Sequence, residues 1–217
     1  GFLAMGGTLV RSSFVDSENL LGFQPERFMR ATVDVPWLDP AERPESASES
    51  ELSLRLTQTQ QEILRRVADD SDVRAVAMGL TLPGAMLPSH RVVLESAIDQ
   101  GDVVLPYVGR ARVDVDFFSG LDRPILAGRD FTAVDVVDRL EHRPSVIVNT
   151  TFVEQVLGGR SAIGQRFRLA AGGDLELEQY DWFEIVGVVG RFGTNPINPI
   201  RDAAIYYPMA PGESDRV

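Results

Sequence analysis

The sequence predicts an α+β protein that opens with a β–α–β unit and continues as a region rich in short strands. Over residues 27–35, apolar side chains alternate with polar ones, which is the period-two pattern of a half-buried strand. Over 48–70 the apolar residues recur at helical spacing instead. Beyond residue 88 the chain divides into short apolar runs separated by glycine and proline, which is typical of strands joined by turns.

The first strand is followed by an acidic loop and then by the clearest element, a helix over 48–70. Ser48 is predicted to cap this helix. The negative charges of Glu49 and Glu51 in the first turn lie near the positive end of the helix dipole and stabilise it. One stripe of the helix is apolar and is predicted to pack on a sheet, although such a stripe also suits an interaction helix. The stripe consists of Leu52, Leu56, Ile63 and Val67.

A second strand is predicted over 73–82, where Pro83 ends it. Its small residues and mixed faces indicate burial on both sides. The intervening helix is long enough to cross between neighbouring strands, so the opening unit is predicted to be β–α–β.

The later elements are shorter. A single helical turn after Asp114 or Asp116 is predicted to end at Gly120, and its surroundings contribute the core residues Phe117, Phe118, Leu121, Ile125 and Leu126. A helix over 151–157 is predicted to be capped by Thr150 or Thr151 and ended by Gly158 and Gly159, and Gly187 and Gly190 indicate a bulge or bend. The predicted strands cover 91–96, 103–108, 110–115, 145–149, 166–170, 181–192 and 203–208.

Composition excludes several kinds of function. The chain has 217 residues and a net charge of −11, which disfavours nucleic acids and anionic membranes as partners. All 21 basic residues are arginine, so no lysine is present for a P-loop or a Schiff base. Cysteine is absent, which excludes disulfides and thiol chemistry.

Candidate chemical groups are few. His90 and His142 lack a second histidine at metal-ligand spacing, and each is predicted to lie on the surface. Asp114 and Asp116 form a D-x-D pair without the remainder of a calcium loop. The run 158–160 is too short to cradle phosphate, and the glycosylation triplet at 149–151 occurs often by chance. We therefore predict no catalytic, cofactor-binding or metal-binding residue, no cofactor and no enzymatic activity.

The first ten residues are apolar and uncharged, but they are too few to span a bilayer as a helix. From the residues alone they are either a buried first element or the outer end of a membrane helix cut by the chain boundary.

Several segments, taken in order over about 20–209, resemble the MacB-like periplasmic core domain of FtsX-like ABC transporter permeases, with similarity to the duplicated permeases of acidobacteria. The first residues also resemble the outer end of that family's first transmembrane helix. The segments are GFQPERFMRATVDVP, ILRRVADDSDVRAVAMGLTLP, VDVDFFSGLDRPILAGRDFTAVD, VIVNTTFVEQVLGG, SAIGQRFRLA, WFEIVGVVGRF and AAIYYPM.

The resemblance implies a division of the chain. Residues 1–19 would be the end of a transmembrane helix with a juxtamembrane stub, and 20–88 the first half of a porter-like subdomain whose second half is missing. Residues 89–208 would form an inserted, strand-rich Sabre-like subdomain, and 209–217 would begin the return to the porter-like part.

The resemblance also implies a mechanical, non-catalytic role on the periplasmic side of the cell inner membrane. The expected partners are a separate cytoplasmic ATPase subunit, a second permease half or homodimer partner, and a periplasmic adaptor or exported substrate. Hinges would lie near 83–88 and after Pro208. Two alternatives are a periplasmic ligand- or lipoprotein-binding module, and an exported enzyme that gathers Asp114, Asp116 and Asp130 in a cleft.

Overall fold

The computed structural model describes residues 29, 31, 35, 48–80, 87–98, 106–140, 144–170, 182–191 and 202–213. Its five helices are α1 (Glu49–Ala68), α2 (Glu95–Ile98), α3 (Phe117–Gly120), α4 (Ala133–Leu140) and α5 (Thr150–Gln155). Its seven strands are β1 (Ser89–Leu94), β2 (Tyr107–Val113), β3 (Ile125–Gly128), β4 (Ser145–Asn149), β5 (Arg166–Ala170), β6 (Phe183–Val189) and β7 (Ala204–Pro208). The mixture of helices and sheet agrees with the predicted α+β class.

The predicted cap of α1 is confirmed. The Ser48 hydroxyl accepts a hydrogen bond from the backbone N–H of Glu51 at 3.3 Å, and the Glu51 carboxylate accepts one from the Ser48 N–H at 2.9 Å. These reciprocal bonds form a capping box. Leu52 and Leu56 are buried, whereas Val67 is 39% exposed. The apolar stripe is therefore buried towards the start of the helix and open near its end.

The strand predicted over 73–82 is wrong for its described part, residues 73–80. That segment makes one isolated bridge, between Gly79 and Val113, and none of its side chains is fully buried. The cause is the edge that it meets: β1 already pairs with residues 107–109 of β2, so only the end of β2 is open to 78–80 on that side. Residues 81 and 82, and most of the predicted first strand, lie outside the described residues.

The strands close into a ring. Their order is β3–β6–β4–β7–β2–β1–β5, and β5 also pairs with β6, so that six strands form a barrel. The β2–β7 and β4–β6 pairs are parallel and the other pairs are antiparallel. Strand β6 pairs with β5 at its start and with β3 at its end. Closure satisfies the backbone groups that an open sheet would leave at its edges.

Strands β4 and β5 match their predicted ranges, and β1, β6 and β7 overlap theirs. The separate predictions 103–108 and 110–115 are corrected to one strand, β2, and residues 103–105 lie outside the described part. Gly109, which was interpreted as a break, lies within the β2 ladder opposite Ser89 and Ala204. A Cβ there would lie 2.9 Å from Leu87 Cδ1, so a larger residue would require the Leu87 side chain to shift.

The caps of the short helices differ from their predictions. Asn149, and neither threonine, caps α5: its Oδ1 accepts the N–H of Phe152 at 2.9 Å. Asp116 precedes α3 without a side-chain capping bond, although Gly120 does end that helix. The predicted stop after α5 is confirmed, since Gly158 and Gly159 have φ values of 61° and 78°.

Apolar residues fill the barrel and also cover part of its outside. Along β7, Ile205 and Tyr207 face the interior cluster, while Ala204 and Tyr206 belong to a second cluster on the outer face. Phe117 and Phe118 of α3 are buried in that outer cluster, as predicted, with Leu121 and Ile125 against it. Leu126 is 58% exposed, so its assignment to the core was wrong.

The predicted irregularity at Gly187 is a β-bulge. The β4–β6 register passes from Val146 opposite Ile185 to Ile147 opposite Gly187, which leaves Val186 unpaired in that ladder. A Cβ on Gly187 would lie 2.4 Å from the Arg129 carbonyl oxygen. Only glycine permits that close approach.

Candidate functional site: the joint between the arm and the barrel

Residues 48–80, named the arm here, meet the barrel at two places. At the first, the turn after β7 lies directly on α1. Gln60 Nε2 donates to the Glu213 carbonyl at 3.0 Å, and the Gly212 N–H donates to Gln60 Oε1 at 2.8 Å. Gly212 has φ +86°, and a Cβ there would lie 2.5 Å from Thr57 Oγ1. We call this contact the glutamine joint.

The second contact joins the end of the arm to the end of β2. The Met78 N–H donates to Asp114 Oδ2 at 2.7 Å, and the Asp114 N–H donates to the Met78 carbonyl at 2.9 Å. The Leu80 N–H adds a bond to the Arg112 carbonyl at 3.0 Å. We call this contact the aspartate joint.

An ion pair and a close backbone contact reinforce the aspartate joint. Arg74 pairs with Asp122, although both side chains are largely exposed and the pair therefore contributes little to stability. A Cβ on Gly120 would lie 3.2 Å from the Cβ of Ala77. The small residue at the end of α3 thus lets the arm approach the barrel closely.

Both joints lie at one end of the barrel. Strands β2 and β7 are parallel, so they finish at the same end. The Met209 N–H donates to the Val113 carbonyl at 2.7 Å and ties the two exits together. The arm therefore contacts two neighbouring strands at the same end of the barrel.

Three carboxylates surround the aspartate joint. Burial, together with the nearby charges of Asp116 and Asp130, raises the pKa of Asp114 to about 6 despite the opposing effect of the bond from Met78. Burial also raises the pKa of Asp130, again with a contribution from Asp116. The structure thus brings together the three acids that the enzyme hypothesis required. Within the described ranges, however, no cluster of three or more His, Cys, Asp or Glu side chains is arranged to hold a metal ion.

Two further networks of buried polar contacts, one around Asn149 and one around Asp135, were not indicated by the sequence patterns. Asn149 is fully buried: its Oδ1 also accepts the Ala204 N–H at 3.0 Å, and its Nδ2 donates to the Asp202 carbonyl at 2.5 Å. Arg191 Nε donates to Asp202 Oδ2 at 2.6 Å. These bonds hold the beginning of β7, and they leave the Asn149 amide inaccessible to glycosylation.

The second network surrounds Asp135. Burial acts to raise its pKa, but hydrogen bonds from Arg129 and Thr132 outweigh that effect and lower it to about 2. Arg129 donates to both carboxylate oxygens at 2.7 Å, and Thr132 donates its N–H and its hydroxyl. A bidentate pair of this kind fixes the loop between β3 and α4.

Comparison with known proteins identifies the family. The family model of the MacB-like periplasmic core domain matches residues 2–216. The chain belongs to this family. The resemblance stated from the sequence segments is thereby confirmed. No curated protein matches the chain.

Solved structures of MacB-like and permease domains are similar to this chain at low identity. The extracellular domain of the noncanonic ABC-type transporter YknZ from Gram-positive bacteria has 14% identity and a TM-score of 0.42, over 68% of this chain and 61% of that one. The periplasmic region of MacB from Actinobacillus actinomycetemcomitans has 12% identity and a TM-score of 0.41, over 68% and 54%. A domain of a putative permease protein from Porphyromonas gingivalis has 15% identity and a TM-score of 0.42, over 66% of this chain and 54% of that one. The chain thus spans less than two thirds of each of these relatives.

The other residues that the sequence singled out in this MacB-like domain lie away from the two joints. His90 is half-buried, and its Nε2 lies 3.4 Å from Arg110 Nη1, whereas His142 is outside the described residues. Arg160 and Gly159 line an open groove of about 350 Å³ beside α5 and the end of β6. In the part of the chain that is described, no helix combines the length and the apolar character needed to cross a membrane.

Proposed function

We propose that this MacB-like domain transmits motion between the membrane helices of an ABC transporter permease and a partner or exported molecule outside the membrane, without catalysing a reaction itself. The observation that carries the proposal is the pair of joints. The arm contacts the end of β2 and the turn after β7 through five hydrogen bonds, so a movement of the arm relative to the barrel would act directly on these two neighbouring strands.

The proposed setting follows from the family. The domain would lie on the periplasmic side of the cell inner membrane, and a separate cytoplasmic ATPase would supply the motion. A second permease half or a second copy would complete the assembly, and a periplasmic adaptor or an exported substrate would receive the movement. The net charge of −11 supports partners other than nucleic acid.

We also propose the division into a porter-like part, 20–88, and a Sabre-like part, 89–208, with 1–19 as membrane stub and 209–217 as return. It is supported by the seven strands of the described residues, all of which lie within 89–208. It is further supported by residues 209–213, which leave β7 and contact α1. The proposed hinges near 83–88 and after Pro208 flank these contacts.

The test is to lock the arm to the barrel in the complete permease. The chain has no cysteine, so Arg74→Cys and Asp122→Cys introduce one unique pair at the aspartate joint, where both side chains are exposed. A short bismaleimide would then join them. With the cognate ATPase present, ATP hydrolysis is expected to continue while export stops.

The matched control joins Glu62→Cys to Arg66→Cys, an exposed ion pair one turn apart within α1. This crosslink leaves the joint free, so export is expected to persist. If export survived the lock at residues 74 and 122, the mechanical proposal would be wrong. If the two crosslinks stopped export equally, the loss would come from modification and not from locking the joint, which also contradicts the proposal.

A second candidate function is a periplasmic ligand- or lipoprotein-binding module, favoured by the open groove beside α5. Its lining includes Val153, Ala162 and Ile163, and Ile163 is 43% exposed. The substitution Ile163→Trp, at an exposed position of the lining, would obstruct the groove. Loss of signalling with unchanged arm movement would favour binding over force transmission.

A further inference from the structure

An arginine pair inside the end of the barrel has no carboxylate partner among the described residues. Arg110 and Arg112 alternate along β2 with Val108, whose side chain belongs to the interior cluster, so all three share one face of the strand. Both arginines are half-buried. Among the described residues, neither forms an ion pair with a carboxylate. By contrast, ion pairs are made by Arg65, Arg66, Arg74, Arg129, Arg166 and Arg191.

Tyr207 is a neighbour of both arginines. It stands directly opposite Arg112 in the parallel β2–β7 ladder, and Arg110 Cζ lies 5.3 Å from the centre of its ring. Tyr207 is only 6% exposed, yet its hydroxyl has no hydrogen-bond partner within the described structure. A buried hydroxyl without a partner is costly and usually indicates a missing water or ligand.

The charges that act on the Tyr207 hydroxyl are both positive. Burial raises the pKa of Tyr207 well above its usual range, and the charges of Arg110 and Arg112 act in the opposite direction. The hydroxyl is therefore protonated at neutral pH and is able to donate. His90 also lies at this place, with Nε2 3.4 Å from Arg110 Nη1.

We propose that Arg110, Arg112 and Tyr207 bind the phosphate group of a small molecule at this end of the barrel. Two guanidinium groups and one hydroxyl offer donors from separate side chains, which suits a tetrahedral oxyanion. In the proposed site the buried Tyr207 hydroxyl donates to the phosphate through an ordered water. The chain's net charge of −11 opposes a flat anionic membrane, so the structure favours a soluble ligand.

The site goes beyond the transport role and does not depend on it. It lies where β2 ends, beside the Leu80–Arg112 backbone bond of the aspartate joint. An occupied site would therefore place a ligand next to the contact through which the arm acts.

The test is titration of the 217-residue chain with inorganic phosphate by calorimetry at pH 7 and constant ionic strength. Saturable binding is expected. Arg112→Gln and Arg110→Gln are each expected to weaken it by about tenfold or more, and Tyr207→Phe by about threefold, because a charge-assisted bond is stronger than a neutral one. None of the three changes removes an ion pair, so the variants are expected to remain folded, which thermal denaturation without phosphate would check.

The matched control is Arg160→Gln, which removes the same charge from the exposed groove at the opposite end of the barrel. Phosphate affinity is expected to be unchanged in this variant. The proposal would be overturned by an absence of saturable binding, by an equal loss in the Arg160 control, or by acetate binding as tightly as phosphate. Arg112-dependent binding to phosphatidic acid vesicles without binding of free phosphate would identify a membrane headgroup and would also overturn it.

Discussion

Replacement of Asp114 by asparagine is expected to change how stability depends on pH. In the folded chain the pKa of Asp114 is raised to about 6, against 3.8 for the unperturbed group, first by burial and then by Asp116 and Asp130. A group whose pKa is raised by folding favours the folded state fully below its unfolded pKa, and this contribution disappears as pH rises through about 6. Above that pH the folded chain carries the cost of a desolvated charge.

The size of this cost follows from the shift. A difference of about two pH units corresponds to at most ~3 kcal/mol. Asp114 is partly accessible to solvent, which reduces the expected value to about 1–2 kcal/mol. In Asp114→Asn the side-chain oxygen still accepts the Met78 N–H, so the joint is retained while the charge is removed.

The assay is urea denaturation of both proteins at a series of pH values between 4 and 8. The difference in the free energy of unfolding, variant minus wild type, is expected to increase by about 1–2 kcal/mol between pH 4 and pH 7.5. A difference that does not change with pH would refute the reasoning. Asp116→Asn serves as the companion variant: it leaves Asp114 in place but removes a like charge, so the Asp114 transition is expected to move to lower pH. Carbon-detected NMR titration of the Asp114 carboxyl would observe it directly.

Three other substitutions test the joints and the buried polar groups by urea denaturation. Gly212→Ala is expected to lower the free energy of unfolding by about 2–3 kcal/mol, because the residue has a positive φ and its new Cβ would collide with α1. The control Gly159→Ala has a positive φ but no atom within 4 Å of the new Cβ, so a loss of about 1 kcal/mol is expected. Equal losses in the two variants would contradict the contact at the glutamine joint. Asp135→Asn is expected to lower the free energy of unfolding by about 3 kcal/mol at pH 7. The loss is expected to become smaller as pH falls from 4 towards 2, because the pKa of Asp135 in the folded chain is lowered to about 2. A loss at pH 2 equal to that at pH 7 would contradict this prediction. Asn149→Ala is expected to cost about 3 kcal/mol because it leaves two backbone N–H groups without an acceptor, and a cost below about 1 kcal/mol would show that water replaces the amide.

The elements that the sequence predicted well depend on neighbouring residues. The capping box of α1 needs only Ser48 and Glu51, three positions apart, and the strand over 145–149 follows from its own apolar run. The bulge at Gly187 was also indicated locally, by glycine within an apolar strand. These signals are present in short windows, so they are accessible without tertiary information.

The secondary-structure predictions that were wrong share a different cause. Residues 73–80 have the composition of a strand, but β1 occupies most of the β2 edge that they meet. The cap of α5 was assigned to a threonine, while Asn149 holds that place because its amide also bonds to residues 202 and 204. No local pattern reports which edge is occupied or which distant backbone group needs a partner.

Almost none of the contacts at the candidate site could be predicted from the sequence. Asp114 was considered only as a cap or as part of an acidic group, and its partner Met78 is 36 positions away. Gln60 and Gly212 are 152 positions apart, and each is unremarkable in its own segment. Contacts of this kind depend on the pairing of β2 with β7, which are far apart in the sequence but adjacent in the sheet.

The summed free energy of the hydrogen bonds at the two joints is consistent with a contact that transmits force and is also able to rearrange. The two bonds of Gln60 and the two between Met78 and Asp114 each contribute about 0.5–1.5 kcal/mol net, or about 2–6 kcal/mol together. Reversal of a two-state equilibrium from 1:99 to 99:1 requires about 5.5 kcal/mol. In the proposed mechanism the joints would hold the arm against β2 and β7, and a partner that binds one arrangement more tightly would shift it. A covalent lock at residues 74 and 122 would remove that freedom while keeping the hydrogen bonds of Gln60 and Met78, and for this reason it would separate force transmission from simple folding of the domain.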